Sequence, residues 1–418
     1  MMNVEKIESN QEKATSLKKN FSWTFIGNVI YAACQWAILM LFTKLGSVKM
    51  VGVFSLGLAI TAPVYMFLNL QLQGILATDK KNNYSFNEYF SLRLMTSNIG
   101  MLLIMVFLLI SNYDLVTKWV VFLVALAKYF DSFSEIIFGL LQNKELMKRI
   151  SISLMLKGIL SVSSMFLSLY LTGDILISMI CYAVSSCVIF ILYDMKSMKM
   201  FKQRIKFSFA FSKLKSLFLL SLPMGLVMLL ISLNTNIPRY FIENYLGAES
   251  LGYFSALAYV MVAGNTVISA LGQACVSRLA QYYAEIDIKS FRVLLFKLIG
   301  IGTLTGIIGI VVIGFMGEEI LTIIYSDAYK EYNHIFILIM ISAGIGYISS
   351  FMGYGMTAAR CYKVQPVIFG IVAIVTILLS YWCVPQYGLT GAGITLIFAS
   401  IVQLIGSSLV IVYLLKKR

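Results

Sequence analysis

The chain has 418 residues, of which 59% are hydrophobic and 12% charged, and its mean hydropathy is +0.86. So little polar sequence cannot coat a soluble core of this size, which excludes a soluble globular enzyme and leaves a multi-pass membrane protein. The net charge of +14 suggests nucleic acid only if the basic residues form a patch, so their positions decide its meaning.

Residues 1–20 are polar and are read as a cytoplasmic segment. The apolar run that follows is a full span without a small-residue cleavage pattern, so no signal peptide is expected. Crossing the hydrocarbon takes about 20 apolar residues. Runs of that kind are predicted at 21–43, 50–72, 89–110, 117–141, 150–171, 174–194, 215–236, 251–273, 293–315, 334–356, 366–384 and 390–414. Between the sixth and the seventh lies Asp194–Lys215, which holds seven Lys and Arg residues: Lys196, Lys199, Lys202, Arg204, Lys206, Lys213 and Lys215.

Basic residues resist translocation, so they mark the inner side. With the amino terminus inside, Lys6, Lys13, Lys18, Lys19, Lys80, Lys81, Lys144, Lys148 and Arg149 fall there, as do the basic linker, Arg278, Lys289, Arg292, Arg360, Lys363 and the terminal Lys416, Lys417 and Arg418. Only Lys44, Lys49, Lys118, Arg239 and Lys330 fall outside. The basic excess is therefore a topology signal, and nucleic-acid binding is not supported. The expected fold is all-α, with about 12 transmembrane helices in two six-helix lobes around a central cavity and both termini cytoplasmic. The expected divisions are an N-lobe at 21–194, a cytoplasmic linker at 195–214, a C-lobe at 215–414 and a cytoplasmic end at 415–418.

The two halves share marks of duplication. Leu45-Gly46 and Gly52-Val53-Phe54-Ser55 reappear as Leu246-Gly247 and Gly252-Tyr253-Phe254-Ser255, and Leu171-Thr172-Gly173 reappears as Leu389-Thr390-Gly391. Each pair occupies an equivalent place in its half. Six spans per unit makes the repeats parallel. Pro63 and Pro223 each remove a helix hydrogen bond inside the first spans of a lobe, and they read as hinges or as static kinks.

The fourth span carries Lys128, Asp131 and Glu135 on one helical stripe. Charges at mid-bilayer cost at least about 2.5–3.5 kcal/mol each, so they require partners or water. Glu135 and Lys157 lie equally far from a turn centred near Leu146, which predicts a Glu135–Lys157 pair with Asp131 and Lys128 beside it. This neutral set is read as a structural latch or as a proton or cation coupling network. Arg93, Arg278 and Lys297 near inner span ends and Arg239 near an outer one are read as snorkelling to headgroups or as cationic contacts for a phosphate-bearing substrate. Asn234 and Asn236 beside Pro238 suit sugar hydroxyls in a cavity, or backbone opened by the proline. Gln35, Asn69, Gln71, Asn98, Asn265 and Gln273 add polar positions, and Trp36 and Tyr65 are candidates for stacking on sugars.

The six cysteines show no CxxC spacing and the one histidine, His334, has no ligand partner near it, so no disulfide, metal or cofactor is expected. GxxxxGK[ST], HExxH and GxSxG are absent, and the outer loops are too short for a catalytic domain. The chain is expected not to be an enzyme.

Ser221–Leu257 (SLPMGL…SLNTNIPRYFIENYLGAESLGYFSAL) resembles the seventh-helix region of the bacterial polysaccharide transporter family, the O-antigen and capsule repeat-unit flippases of the multidrug/oligosaccharidyl-lipid/polysaccharide superfamily. Ala127–Met147 is similar to their fourth helix and following loop, and Asn20–Ile30 and Gly52–Gly57 also fit. The resemblance runs over the whole chain in order. It implies two lobes around a cavity, in a bacterial inner membrane among its lipids. The implied cargo is an undecaprenyl-diphosphate-linked oligosaccharide, carried from the inner to the outer leaflet by alternating access. It also implies a proton or sodium ion as coupling ion and a polysaccharide polymerase and chain-length proteins as partners. Members that flip the peptidoglycan precursor look to carry basic residues on the second span; Met66–Ala77 has none, which favours a surface polysaccharide. A cation-coupled multidrug antiporter of the same superfamily is the alternative, with Asp131 and Glu135 as its acidic site.

Overall fold

A computed structural model describes residues 17–79, 83–201, 206–208, 210–361 and 364–416. Lys6, Lys13, Lys80, Lys81, Lys202, Arg204, Lys363, Lys417 and Arg418 of the charge count lie outside the described residues.

Among the described residues all regular structure is helical. The first half contains α1 (Leu17–Leu45), α2 (Val48–Leu68), α3 (Leu72–Thr78), α4 (Phe86–Ile110), α5 (Leu115–Asn143), α6 (Met147–Thr172) and α7 (Ile175–Ile189). A π-helical turn, Phe190–Asp194, carries α7 into α8 (Met195–Lys199). The second half contains α9 (Phe211–Ala284), α10 (Ile288–Ile324), a 3-10 turn (Asp327–Tyr332), α11 (Asn333–Ala358) and α12 (Gln365–Lys416). Nine helical stretches among the described residues are long and apolar enough to cross a membrane. α5, 29 residues long, is set apart by Lys118, Lys128, Asp131 and Glu135 within it.

Local chemistry starts and stops these helices. Ser47, Asp114, Asp174 and Asp287 each accept a first-turn backbone N–H, and Ser85 forms a capping box with Glu88. Two connections expected as loops are single residues instead. Gly247 (φ 83°) divides α9 into 211–246 and 248–284, and Gly388 (φ 59°) divides α12 into 365–387 and 389–416. Both have a positive φ that glycine adopts freely, so one residue suffices to join two helices across a kink. The sixth predicted span also runs on past residue 194 to Lys199, so part of the expected linker is helix.

α1 packs on α6, α2 and α7 pack on α5, α10 and α12 pack on α11, and α9 packs on α11 and α12. The most extensive contact between the halves joins α2 to α9. At one end a Cβ on Gly52 would fall on the Ala248 carbonyl, and one on Gly252 would fall on the Val48 carbonyl. The two glycines of the duplicated motif thus meet each other with near-mirrored partners, each on the residue four before the other. Further along, Gly225 of α9 lies against the Phe67 carbonyl and Leu70. On the side that the charge count assigns to the exterior, the halves are also tied by Trp36 donating to the Tyr325 hydroxyl (3.1 Å), Lys44 to the Ile323 carbonyl (3.2 Å) and Tyr113 to Glu243 (3.2 Å). Tyr240 donates to the Ala59 carbonyl deeper in.

Candidate functional site

Away from those ties the halves part. Between the first turns of α1 and residues 262–274 of α9 lies a cavity of about 580 Å³. Thr24, Asn28 and Tyr31 line it from α1, one helical stripe at spacings of four and three. Asn265, Ser269 and Gln273 line it from α9. Adjoining it is a second space of about 400 Å³ with an almost wholly apolar wall, including Val29, Ala33, Trp36 and Val267. The two share Phe25, Ala32, Val262 and Thr266 as common wall. A chamber with polar side chains on both walls thus adjoins an apolar slot along the α1–α9 seam.

A third cavity, about 430 Å³, lies within the second half. Asn234, Ser349, Thr357, Gln365, Gln403 and Ser407 face it, all uncharged. Asn234 donates to the Phe369 carbonyl (3.2 Å), and its Oδ1 has no hydrogen-bond partner among the described residues.

A fourth, smaller pocket, about 180 Å³, is charged. Asn69, Gln71, Gln73, Arg93 and Glu135 line it, and Met228 of α9 closes one wall. It sits where the second predicted span breaks: Leu70 (φ 51°) and Gln71 (φ 52°) are consecutive left-handed residues, and neither is glycine. Such a conformation costs about 1–3 kcal/mol per residue and persists only where the surroundings enforce it. Part of that enforcement is Gly139 of α5, where any side chain would strike the Gln73 backbone. Arg93 is 0% exposed and lies 3.7 Å from Glu135, whose side chain is 38% exposed. Asn69 bridges them, accepting from Arg93 Nη1 and donating to Glu135 (2.8 Å).

Beside it Lys157 donates to Asp131 (2.8 Å) and to Ser134 (3.1 Å). The expected Glu135–Lys157 pair is therefore replaced by Lys157–Asp131 and Arg93–Glu135. The reason is register. The hairpin turns at Lys144 and the left-handed Glu145, not at Leu146, which moves the partner of Lys157 by one helical turn. Asp194 was missed. It is fully buried, accepts from Ser153 (2.6 Å), and its Oδ2 has no partner among the described residues. Lys196 and Lys199 after it read as loop, whereas α8 carries the helix past it.

Other candidates separate. Arg93 does not reach headgroups, because its guanidinium is enclosed. Arg239 lies inside the first segment of α9, which runs on to residue 246, and donates to Asn236 (3.0 Å). Asn236 in turn donates to the Ser232 carbonyl, so it is consumed in holding Arg239 and its own helix and lines none of the cavities above. Arg278 is exposed and folds onto the Tyr282 ring. Lys297 is exposed on the α10 face that carries Phe296, Ile301 and Leu304, away from the cavities. Lys128 is half-buried on the α5 stripe. Pro63 lies within α2 and Pro223 within α9, both without breaking the helix; the α2 break comes at Leu70 instead. Tyr65 is packed among Ile104, Leu108 and Val121 and offers no stacking face, while Trp36 borders the apolar slot. Asn98 accepts from Tyr129. Thr24 and Asn28 went unread although the sequence spaces them with Tyr31 on one stripe.

Three comparisons bear on this arrangement. Residues 17–283 match the family model described as "Polysaccharide biosynthesis protein". A capsular polysaccharide biosynthesis protein, CapF, of Staphylococcus aureus is 31% identical over 392 residues, 93% of this chain and 97% of that protein. Among solved structures, an inward-facing multidrug resistance MATE family transporter of the MOP superfamily superposes with a TM-score of 0.72 at 14% identity, over 94% of this chain and 99% of that one. The lipid II flippase MurJ, in an inward closed conformation, does so with 0.72 at 15% identity, over 94% and 87%. Low identity with high coverage means that the fold is shared.

Proposed function

This chain belongs to the polysaccharide biosynthesis protein family, and on that premise we propose that it is a flippase for a lipid-linked oligosaccharide of surface polysaccharide assembly, a capsule being the nearest case. The observation that carries this reading is the polar chamber sharing a wall with an apolar slot. Sugars and a diphosphate cannot cross hydrocarbon unaided, since each unpaired polar group costs several kcal/mol. A polar chamber open at its side replaces their hydration, while the undecaprenyl chain stays in the slot and the bilayer beyond. The proposed cycle is alternating access: the glycan enters from the cytoplasmic leaflet, the exterior ties around Gly52 and Gly252 part, and the glycan leaves outward. No covalent bond changes.

In this reading the chain forms about twelve spans in two lobes, 21–194 and 215–414, joined by the basic linker in the cytoplasm, where both termini also lie. The membrane is the bacterial inner membrane. Asn234 is a proposed cargo contact in the second half, and Lys128, Asp131, Glu135 and Lys157 a latch or coupling network for a proton or sodium ion. A small-cation antiporter needs an acid free to take the drug's charge. Asp131 is held by Lys157 at 2.8 Å and has no free charge to offer a drug, which favours the glycolipid.

The test is deletion of the gene followed by analysis of lipid-linked intermediates. Full-length repeat units are expected to accumulate on lipid in the cytoplasmic leaflet and to clear on complementation. Unchanged glycolipids and unchanged surface polymer would overturn the proposal. Lost resistance to small cations, with glycolipids unchanged, would replace it with antiport.

A further inference from the structure

We propose that the Arg93 pocket is an anion site for one phosphoryl group of the cargo, occupied in this structure by the protein's own Glu135 carboxylate. This rests on the flippase reading only in naming the cargo; the site itself is argued from its geometry.

A guanidinium presents a planar fork of donors that matches two oxygens of a carboxylate or phosphate at once. Arg93 is not used that way. Its Nη1 donates to Asn69, while Nε and Nη2 have no hydrogen-bond acceptor among the described residues, although the side chain is 0% exposed. Glu135 approaches only Nη2, at 3.7 Å, too far for a hydrogen bond. A buried cation with two idle donors and one loose counter-ion is a poor structural latch. It is a reasonable receptor for an anion with more oxygens than a carboxylate has.

The rest of the pocket fits the same ligand. Asn69, Gln71 and Gln73 bring side-chain amides to a space of about 180 Å³, enough for a phosphoryl group but not for a sugar chain. The amides come from the break at Leu70 and Gln71, so strained backbone places them there. Glu135 lines the same pocket with its side chain 38% exposed, against 0% for Arg93, so of the two ions it is the one with room to turn away. While the pocket is empty the carboxylate offsets the buried charge of Arg93, since a buried cation with no counter-ion costs several kcal/mol. A phosphoryl oxygen then replaces a carboxylate oxygen, so one ion pair is exchanged for another and nothing is left bare. Met228 walls the pocket and Gly225 abuts Phe67 and Leu70 beside the break, so the exchange takes place against the second half of the chain.

The probe is radiolabelled inorganic pyrophosphate, measured by equilibrium binding to full-length protein in lipid nanodiscs at fixed salt. Glu135→Gln removes the competing charge and keeps the shape, so it should bind about tenfold more tightly than the unmodified protein. Arg93→Gln should bind at least about tenfold more weakly, with Arg93→Lys between, because a point charge replaces the fork. Melting temperature and monodispersity of each variant separate lost binding from lost folding, and the double variant Arg93→Gln/Glu135→Gln, which has no unpaired charge, must also fail to bind. Equal or weaker binding by Glu135→Gln, or undiminished binding by the double variant, overturns the proposal. If deletion traps glycolipid and Arg93→Gln restores its export in full, the pocket idea falls and the flippase reading stands. If pyrophosphate binding depends on Arg93 but deletion leaves glycolipids unchanged, the anion site stands and the flippase reading falls.

Discussion

Residues 86–199 fully bury Glu88, Arg93, Lys157 and Asp194, whereas among the described residues from 211 onward the fully buried polar side chains are serines, threonines and Asn236. The same division appears in the cavities: the pocket inside the first half is walled by an ion pair, the one inside the second by hydroxyls and amides. It appears again in the backbone. The span that starts at Val48 breaks at Leu70, while residues 248–284, which start from the equivalent motif, stay helical throughout. Buried charge tolerates few arrangements, because an unpaired ion is expensive and a paired one has a defined partner. Buried hydroxyls can turn back on their own helix, as Ser221, Thr376 and Thr395 do to the carbonyl four residues earlier. The first half therefore holds discrete ion pairs, whereas the cavity inside the second is lined by uncharged groups that can each turn to more than one partner.

The largest test of this contrast is Lys157→Met. It leaves Asp131 without the ammonium 2.8 Å away, with the buried Asp194 carboxylate in the same field, and should cost about 3–5 kcal/mol of stability. The matching change in the second half is Ser342→Ala, which removes one hydroxyl bonded to Ser400 (2.9 Å) and the Leu396 carbonyl (3.0 Å) and should cost about 1 kcal/mol. Unfolding by a graded detergent titration measures both. Partial recovery in the triple variant Lys157→Met/Asp131→Asn/Asp194→Asn would attribute the loss to charge. Equal losses for Lys157→Met and Ser342→Ala would dissolve the contrast.

A smaller effect tests what the halves share. Gly52 and Gly252 meet across the α2–α9 crossing with near-mirrored neighbours, so Gly52→Ala and Gly252→Ala should each cost about 1–3 kcal/mol by overpacking, and by similar amounts. Both should also raise the reactivity of a cysteine placed at Ser55 towards a membrane-impermeant thiol reagent applied from outside, because the helices are pushed apart there. A loss confined to one glycine would mean that the duplicated motif no longer works as a pair.

Which of these features are legible in the sequence follows from which force sets each one. Long apolar runs and Ser or Asp caps act locally, so the helices and most of their starts are readable. The repeat of Gly52 at Gly252 is readable only as a mark of duplication; that the two glycines meet depends on the packing of distant helices. The stripe Lys128, Asp131 and Glu135 is readable as needing partners, but the partner depends on a turn whose centre lies between one and two residues before Leu146, so Lys157 meets Asp131 and not Glu135. Arg93 stands on another helix, and no spacing rule links it to Glu135. Asn69-Leu70-Gln71 contains no glycine or proline, so nothing local announces a break; it is imposed by packing against Gly139 and Gly225.

That imposed break yields the smallest effect and the one with opposite signs in the two halves. Gln71 holds a left-handed conformation that costs a residue with a side chain about 1–2 kcal/mol, and glycine adopts it freely while losing about 0.5–1 kcal/mol more entropy on folding. Gln71→Gly should therefore stabilise the protein by about 0.5 kcal/mol. The offset that relates Gly52 to Gly252 carries Gln71 to Leu271, in unbroken helix and packed against the main core. Leu271→Gly should cost about 1 kcal/mol in helix propensity and more in lost packing. Melting temperatures of the two variants in the same nanodisc suffice. Should Gln71→Gly prove as harmful as Leu271→Gly, the strain is not stored at that residue, and the break must be held by the neighbouring Leu70, whose side chain is fully enclosed and leaves no such substitution open.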